Sequence, residues 1–509
     1  MKVNKYILLA FAVLALASCY EDKSTGATLP LSDIFISEEG LQKVYNINKN
    51  DTLVIEPIIT QAHEELELSY TWELDQKVVS TEKNFHYVGD ILGTYNGRLI
   101  VENEDGKAFF VFKLHVNSPY EYGITVLSKD ADGRPHIAFM QDPLEGTERE
   151  FYDENCLQRN NLTQFFASNP SDIVQTKGTL IVACQGNDTE EDGAAIYFLN
   201  EKTFVMENIV ESKEYKTFKP TKLFTPEESY DGSAYPVLSA DGKMYSLPTY
   251  NAVLQPSHNL LSTYAQTGFV VGNATNNDIL LWDSEVNGLV CIYNSYGPYY
   301  CGNKYLLTRE YLDTDQYYKD KFSKLKGVIS LTPIKKTSTQ TNQSRRELIV
   351  LAQAEDGSIQ RLVIATFFWR KLEGTVSDYE ILTNGGNFAK ASSTSYSVIN
   401  ENTPFIANDT YKTMLFANGN KVMKWKYLGD DWLDDAVEIR TVGSKDAIIT
   451  SFEISADHMQ TYVAFYEPNQ EGMNGSVWVL DTNEGKVLEK HNNVCYEPVK
   501  IIYKKKNDK

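Results

Sequence analysis

Hydrophobic and polar side chains alternate along two stretches in the first quarter of the chain, 65–74 and 110–116. The first stretch places a hydrophobic residue at every second position: Leu66, Leu68, Tyr70, Trp72 and Leu74. The second does the same with Phe110, Phe112, Leu114 and Val116. A period of two predicts β-strands that have one buried and one solvated face.

The segment between these strands, Tyr87–Val101, predicts further short strands that are interrupted by glycine. The interruptions are at Gly89, Gly93 and Gly97. About seven short strands around a central tryptophan are typical of an immunoglobulin-like β-sandwich. The pattern therefore predicts such a module over residues 31–118, with Trp72 in its core.

From Pro119 onward, apolar runs come in pairs, and a polar turn that contains glycine separates the two members of each pair. The pairs are 124–127 with 136–140, 180–184 with 195–199, 235–238 with 243–247, 279–282 with 289–293, 348–352 with 359–364, 414–417 with 421–427, and 462–466 with 476–480. Asp-Gly and Asn-Gly between apolar runs favour β-hairpins because both residues accept positive φ. Seven hairpins at roughly the spacing of propeller blades predict an all-β chain that ends in a seven-bladed β-propeller over 119–509. An array of separate sandwiches is the alternative.

The N-terminus carries an export signal. Lys2 and Lys5 precede an apolar run, 6–17, that is shorter than the ~20 residues needed to span a bilayer. The run ends in Leu-Ala-Ser-Cys at Cys19, which resembles the lipobox of bacterial lipoproteins. That resemblance implies a signal peptide over 1–18, diacylation of the Cys19 thiol and a polar tether over 19–30. An ordinary signal peptide with a chance cysteine is the alternative.

The residues after Cys19 bear on localisation. Position 20 is tyrosine, whereas an aspartate there retains many gram-negative lipoproteins at the inner membrane, so Tyr20 favours the outer membrane. Glu21 and Asp22 resemble the acidic tag that sends some of these lipoproteins to the cell surface. A solvated linker is the alternative explanation of the acidic pair. We therefore expect a protein anchored in the outer membrane through Cys19 and facing the exterior.

The charge composition argues against two classes of binding partner. The chain has 48 basic and 69 acidic residues, a net charge of −21, which argues against binding to nucleic acid or to anionic lipid headgroups. Cysteine spacing matches no zinc pattern. The cysteines after Cys19 are Cys156, Cys184, Cys291, Cys301 and Cys495. Cys291 and Cys301 are close enough in sequence for a disulfide in an oxidising compartment, and free buried thiols are equally consistent.

The chain resembles the PKD-like lipoproteins of gram-negative bacteria. The resemblance lies in the lipobox Cys19, the strand Leu68–Trp72 and the junction Ser118–Ser128. It implies a PKD/Ig-like module followed by a propeller-like region. It also implies an envelope role beside a TonB-dependent transporter and its surface lipoprotein, and it carries no catalytic residues to transfer.

No motif for nucleophilic, nucleotide-dependent or zinc chemistry occurs in the sequence. The histidines are scattered, and His115 and His136 are interpreted as partly exposed strand residues. Acidic runs such as Glu190–Asp192 are interpreted as solvated loops, although a glycosidase would also need paired carboxylates. We therefore predict no catalytic residue, no metal site and no cofactor.

One interval, between the fourth and fifth hairpins, is rich in tyrosine. Exposed tyrosines stack on sugars or hold peptides at low entropic cost, and long loops on a rigid scaffold often bind ligands. The candidate ligand-binding residues are Tyr296, Tyr299, Tyr300, Tyr311, Tyr317 and Tyr318. Packing between blades is the alternative, since the chain has 32 tyrosines.

The sequence thus favours a non-enzymatic binding lipoprotein that helps a TonB-dependent transporter capture a nutrient, such as a glycan or a peptide. A glycan-cleaving propeller enzyme and a structural or adhesive envelope protein are the alternatives.

Overall fold

The computed structural model describes most of the chain after residue 30. The described residues are 31–143, 149, 151–176, 178–189, 191–224, 234–248, 254–256, 264–273, 276–283, 288–292, 304–306, 325–335, 346–354, 357–366, 390–391, 399–427 and 433–505. The chain divides into two compact units, Met1–Ser118 and Pro119–Lys509. Within the described ranges, no helix has the length and apolar character needed to cross a membrane. The leader 1–18 and Cys19 lie outside these ranges.

The smaller unit is built from nine described strands. They are β1 Ile34–Ile36, β2 Val44–Asn48, β3 Thr52–Ile55, β4 Ile59–Gln61, β5 Ser69–Leu74, β6 Lys77–Ser80, β7 Phe85–Val88, β8 Gly93–Glu102 and β9 Lys107–Asn117. They form a five-stranded sheet in the order β2-β9-β8-β5-β6 and two two-stranded sheets, β3-β7 and β1-β4. Every pair is antiparallel except β2 with β9, which is parallel.

Trp72 lies in the core of the smaller unit, as the alternation predicts. Its side chain is fully buried and stacks on Phe85, with 4.7 Å between ring centroids. The indole N–H donates a hydrogen bond of 2.9 Å to the carbonyl of Glu82, so its one polar group is satisfied. Trp72 is therefore a packing residue.

The prediction that Gly97 breaks a strand is wrong, because β8 begins at Gly93 and continues through Gly97, whereas Gly89 does lie between β7 and β8. Gly97 faces Phe112 in the ladder between β8 and β9, and a Cβ built on Gly97 would lie 2.3 Å from the Phe112 ring. The glycine makes room for a buried aromatic ring inside a continuous strand.

The larger unit contains the remaining strands. Those in its first part are β10 Gly123–Lys129, β11 Pro135–Gln141, β12 Phe151–Asp153, β13 Pro170–Thr176, β14 Thr179–Cys184, β15 Ala195–Asn200, β16 Met206–Glu211, β17 Pro220–Leu223, β18 Ala234–Ser239, β19 Met244–Pro248, β20 Gln255–Pro256, β21 Tyr264–Asn273, β22 Asn276–Asp283, β23 Gly288–Ile292 and β24 Lys304–Leu306. Those in its second part are β25 Leu325–Lys335, β26 Arg346–Ala354, β27 Ile359–Thr366, β28 Lys390–Ala391, β29 Phe405–Asn408, β30 Thr413–Asn418, β31 Lys421–Lys426, β32 Val437–Thr441, β33 Ile448–Ile454, β34 Gln460–Tyr466, β35 Gly475–Asp481, β36 Val487–Cys495 and β37 Glu497–Lys504. A short helix, α1 Cys156–Arg159, and a 3-10 turn, Leu433–Asp435, interrupt them.

These strands form successive four-stranded sheets, and the unit is propeller-like. The sheets β13–β16, β17–β20, β21–β24 and β33–β36 are antiparallel and follow chain order. An eight-stranded sheet joins β25–β28 to β29–β32 through a short parallel contact between β25 and β29. All seven predicted hairpins are present, each as the two middle strands of a group of four.

The middle strands are apolar because both of their faces are covered. In β14, Leu180 and Val182 pack in one buried cluster, whereas Ile181 and Ala183 pack in another. The second cluster also contains Val237 and other residues of the next sheet, so apolar side chains fill the space between successive sheets.

The last strand joins the first sheet. β37 pairs antiparallel with β10, which gives a four-stranded sheet in the order β37-β10-β11-β12. β37 thereby takes the place that β13 or β17 holds in its own sheet. This link between the two ends of the unit argues against an array of separate sandwiches.

Candidate functional site

The predicted ligand-binding residues lie outside the described part of the chain. This applies to Tyr296, Tyr299, Tyr300, Tyr311, Tyr317 and Tyr318, and also to Cys301, the proposed partner of Cys291. Cys156, Cys184 and Cys495 are free and buried. Among the described residues, no group of three or more His, Cys, Asp or Glu side chains is arranged to hold a metal ion.

Two interpretations of polar residues are wrong. His136 is buried, with its ring nitrogens 3.0 Å from Asp130 and 3.2 Å from Asn155. Asp192 is also buried, and it accepts hydrogen bonds from the backbone N–H of Ser168 at 2.8 Å and from the Asn187 amide at 2.8 Å. Each side chain organises a turn, because buried polar groups need hydrogen-bond partners.

A different polar cluster starts from a repeated irregularity in the first strands of the sheets. Near the beginning of β13, β17, β33 and β37, the pairing register shifts by one residue. The extra residues are Ser171, Thr221, Thr450 and Val499. Such β-bulges redirect the side chains that follow them and are common beside functional sites.

Hydroxyl groups lie at three of the four bulges. Thr221 donates to the carbonyl of Leu238 at 3.0 Å, and Thr450 donates to that of Ala464 at 3.4 Å. In both cases the acceptor lies opposite the residue that follows the bulge, so the hydroxyl satisfies a backbone carbonyl where the ladder is disrupted. The Ser171 hydroxyl lies 3.3 Å from the carbonyl of Ala183, but its shorter bond, of 2.6 Å, is to the carbonyl of Pro220 in β17.

The bulges in β37, β13 and β17 are each followed by a charged residue. These residues are Lys500, Asp172 and Lys222, which we call the inner-strand cluster. Asp172 is buried, and its Oδ1 lies 2.5 Å from the Lys500 amine and accepts the N–H of Ile173 at 2.9 Å. Its Oδ2 accepts the N–H of Leu223 at 2.7 Å. One carboxylate thus connects the first strands of three successive sheets.

Lys222 is the member of the inner-strand cluster that lacks an ion pair among the described residues. It is half-buried, and its amine lies 5.9 Å from the centroid of the Phe224 ring. Burial is the main cause that lowers the pKa of Lys222 to about 8. The carboxylate of Asp172 opposes this shift, and the positive charge of Lys500 adds to it.

The inner-strand cluster lies at the end of the sheets where the predicted hairpin turns gather. In an antiparallel sheet, the start of the first strand and the turn after the second strand share one end. Contacts between neighbouring sheets agree, since the Lys219 amine lies 2.6 Å from Asp188 and the Gln185 amide donates to the carbonyl of Pro220 at 3.2 Å. We call this end the turn face.

Other buried charges in the larger unit connect its parts. The guanidinium of Arg149 contacts Asp142 and lies 3.1 Å from Glu489 of β36, while Tyr503 of β37 contacts Asp142. Lys504 is fully buried, with its amine on the carbonyl of Glu201. Arg149 and its partners lie where the last sheet meets the sheet that contains β37, whereas Lys504 lies on the other side, between the sheet that contains β37 and the sheet β13–β16.

The sequence contained one signal for the inner-strand cluster that the hairpin analysis did not use. At three bulges the sequence reads proline, any residue, charged residue: Pro170–Asp172, Pro220–Lys222 and Pro498–Lys500; the same form also occurs at Pro119–Glu121, Pro143–Glu145, Pro226–Glu228 and Pro333–Lys335. Proline is tolerated at the start of a strand and at bulges, because it cannot donate a ladder hydrogen bond. The tripeptide is thus compatible with the bulges at three equivalent places, but it identifies them only together with the strand assignments.

No protein-family model and no curated protein matches the chain. Among solved structures, a quinonprotein alcohol dehydrogenase-like protein from Bacteroides thetaiotaomicron covers 94% of this chain and 100% of its own, with a TM-score of 0.47 and 14% identity. The β-propeller domain of Cps50 (Swd1) from Myceliophteria thermophila gives a TM-score of 0.35 and 7% identity, over 64% of this chain and 85% of that one. AztD from Citrobacter koseri gives a TM-score of 0.35 and 12% identity, over 86% of this chain and 98% of its own. At these scores the likeness adds nothing to the fold derived from strand pairing.

Proposed function

We propose that the protein is a non-enzymatic binding lipoprotein of the outer membrane. In this proposal Cys19 carries the acyl chains, residues 31–118 form a PKD/Ig-like module, and residues 119–509 form a seven-bladed propeller. The protein faces the cell exterior and helps a TonB-dependent transporter, with its surface lipoprotein, capture a nutrient such as a glycan or a peptide.

Strand order supports the seven blades. Five four-stranded sheets and one eight-stranded sheet that consists of two meanders correspond to seven groups of four strands. The pairing of β37 with β10 makes one of these groups from both ends of the unit, as ring closure requires. The packed sheets of the smaller unit and its buried Trp72 support the proposed PKD/Ig-like module.

The observation that carries the binding role is the inner-strand cluster at the turn face. Its three charged side chains stand on hydrogen-bonded strands rather than on loops, and a shared carboxylate fixes two of the strands to a third. Binding sites need polar groups that are held in place before the ligand arrives. The Lys222 amine, which is half-buried and has no ion pair among the described residues, is such a group.

Binding is tested with the intact lipidated protein in non-ionic detergent against a panel of glycans and peptides. Calorimetry is expected to find a ligand, and the glycans are expected to show no new reducing ends after incubation. Replacement of Tyr299, Tyr300 and Tyr318 together by alanine is expected to weaken binding while the melting temperature is unchanged. New reducing ends would instead identify a glycan-cleaving enzyme.

The anchor is tested separately in cells. Metabolic labelling with an alkyne palmitate is expected to mark the wild type and to fail on Cys19→Ser. Protease treatment of intact cells is expected to degrade the wild type, because the proposal places it outside. Equal labelling of both proteins would remove the lipid anchor, and protection from protease would place the protein inside the envelope.

A further inference from the structure

We infer that the inner-strand cluster binds an oxyanion, the carboxylate, sulfate or phosphate group of an acidic ligand, through the amine of Lys222 with Lys500 beside it. This inference rests on the proposal that the protein binds a nutrient, and it specifies the charge of that nutrient. An acidic glycan is consistent with both the proposed nutrient-binding role and a negatively charged ligand.

The charge balance of the cluster supports the inference. Asp172 provides one negative charge against the two lysines, so the cluster carries a net charge of +1. Three donors already occupy the Asp172 oxygens, namely the Lys500 amine and the N–H groups of Ile173 and Leu223. Lys222 is therefore left without a carboxylate of its own among the described residues.

Burial makes this imbalance costly. A charged amine that is partly removed from water is destabilised unless an anion pairs with it. The lowered pKa of Lys222 reports the same cost, because burial disfavours the ammonium form. A bound oxyanion would supply the missing charge and accept hydrogen bonds from the ammonium group.

The cluster is in contact with solvent through Lys500. The Lys500 side chain is 31% exposed although its partner Asp172 is only 5% exposed, so the pair presents its cationic side to solvent. Nearby, Lys219 is paired with Asp188, and this pair adds no net charge. The overall charge of −21 acts mainly at long range, where salt screens it beyond about 8 Å at physiological ionic strength. The local charge therefore decides binding at contact.

The test uses four proteins and four probes. The proteins are the intact wild type, Lys222→Met, Lys222→Arg and Lys445→Met, in which an exposed lysine far along the chain is replaced as a control. The probes are sodium sulfate, inorganic phosphate, glucuronate and the neutral sugar glucose, titrated by calorimetry at constant ionic strength in non-ionic detergent. Comparison of the three anions distinguishes the sources of the oxyanion.

We expect the wild type to bind at least one of the three anions and to bind glucose at least tenfold more weakly. Lys222→Met should bind that anion at least tenfold more weakly, whereas Lys222→Arg and Lys445→Met should stay within threefold of the wild type. The melting temperature of Lys222→Met should equal or exceed that of the wild type, because the variant removes a half-buried charge. Weaker binding then cannot be attributed to unfolding.

Two results would overturn the inference. Equal anion binding by Lys222→Met and wild type would remove Lys222 from the site. If the wild type binds a neutral glycan but none of the three anions, the inference about Lys222 is also wrong. The proposed nutrient-binding function would still hold in that case. A wild type that binds neither the anions nor any glycan or peptide in the panel would contradict the proposed function as well.

Discussion

Replacing Lys504 by methionine tests whether a buried amine makes the larger unit depend on pH. The Lys504 amine lies over the rings of Phe139 and Phe204, 5.2 and 5.3 Å from their centroids, and bonds to the carbonyl of Glu201. Burial lowers the pKa of Lys504 to about 7, and the carboxylate of Glu201 only partly opposes this shift. Methionine has a similar length and no charge.

The magnitude follows from the pKa. In the unfolded chain a lysine has a pKa of about 10.4, so between pH 7 and 10 the unfolded state binds more protons at this site than the folded state does. The free energy of unfolding therefore rises with pH across that window. At about 1.4 kcal/mol for each unit of pKa, the amine destabilises the fold by about 4 kcal/mol at pH 7, and about 2 kcal/mol of this is recovered by pH 9.

The assay is denaturant unfolding of the larger unit at pH 7, 8 and 9 and constant ionic strength, for the wild type, Lys504→Met and the exposed control Lys486→Met. The stability of Lys504→Met minus that of the wild type should fall by about 2 kcal/mol from pH 7 to pH 9. The hydrogen bond lost from Glu201 shifts this difference by a constant and leaves its slope intact. A difference that does not change with pH would refute the reasoning, since the amine would then be charged in both states.

Three further results are expected. Gly97→Ala should destabilise the smaller unit by about 1–3 kcal/mol, because the new Cβ meets the buried Phe112 ring, and Phe112→Leu should restore part of the loss; denaturant unfolding followed by tryptophan fluorescence measures both. Arg149→Met should cost the larger unit about 3 kcal/mol by leaving two carboxylates without their cation, and a loss below about 0.5 kcal/mol would show that the network is not stabilising. Anion binding should weaken as pH rises from 7 to 9, through the pKa of about 8 at which Lys222 loses its proton, whereas Lys222→Arg should bind equally over this range; Asp172 and Lys500 are the charged groups that face Lys222, and a flat wild-type profile would contradict the assignment.

The sequence predicts the hairpins of the larger unit because their signals are local. Each middle strand is an apolar run buried on both faces, and each turn contains glycine next to a polar residue. The outermost strands carry no comparable signal. β20 and β28 are only two residues long, and their pairing depends on the edge that the neighbouring strand offers. Their positions therefore follow from the sheet, and a local pattern cannot give them.

Burial of single polar residues is also beyond a local pattern. His136 and Asp192 lie beside turns that contain glycine and acidic residues, where most side chains are solvated. Each has a hydrogen-bond partner from outside its own turn. Asn155, which precedes helix α1, contacts His136, and the backbone N–H of Ser168, which precedes β13, donates to Asp192. Composition identifies the loop, but only the fold shows which of its residues is enclosed.

The inner-strand cluster shows where sequence reasoning can still be extended. Asp172, Lys222 and Lys500 are distant in the chain, yet each follows a bulge near the start of the first strand of its own sheet. In an array of repeated sheets, residues at equivalent positions become neighbours around the array. Once the first strands are known, aligning them on their prolines places these three charges at equivalent positions. What such an alignment could not have given is which of the two lysines pairs with Asp172, because only the fold brings the Lys500 amine to that carboxylate beside the N–H groups of Ile173 and Leu223.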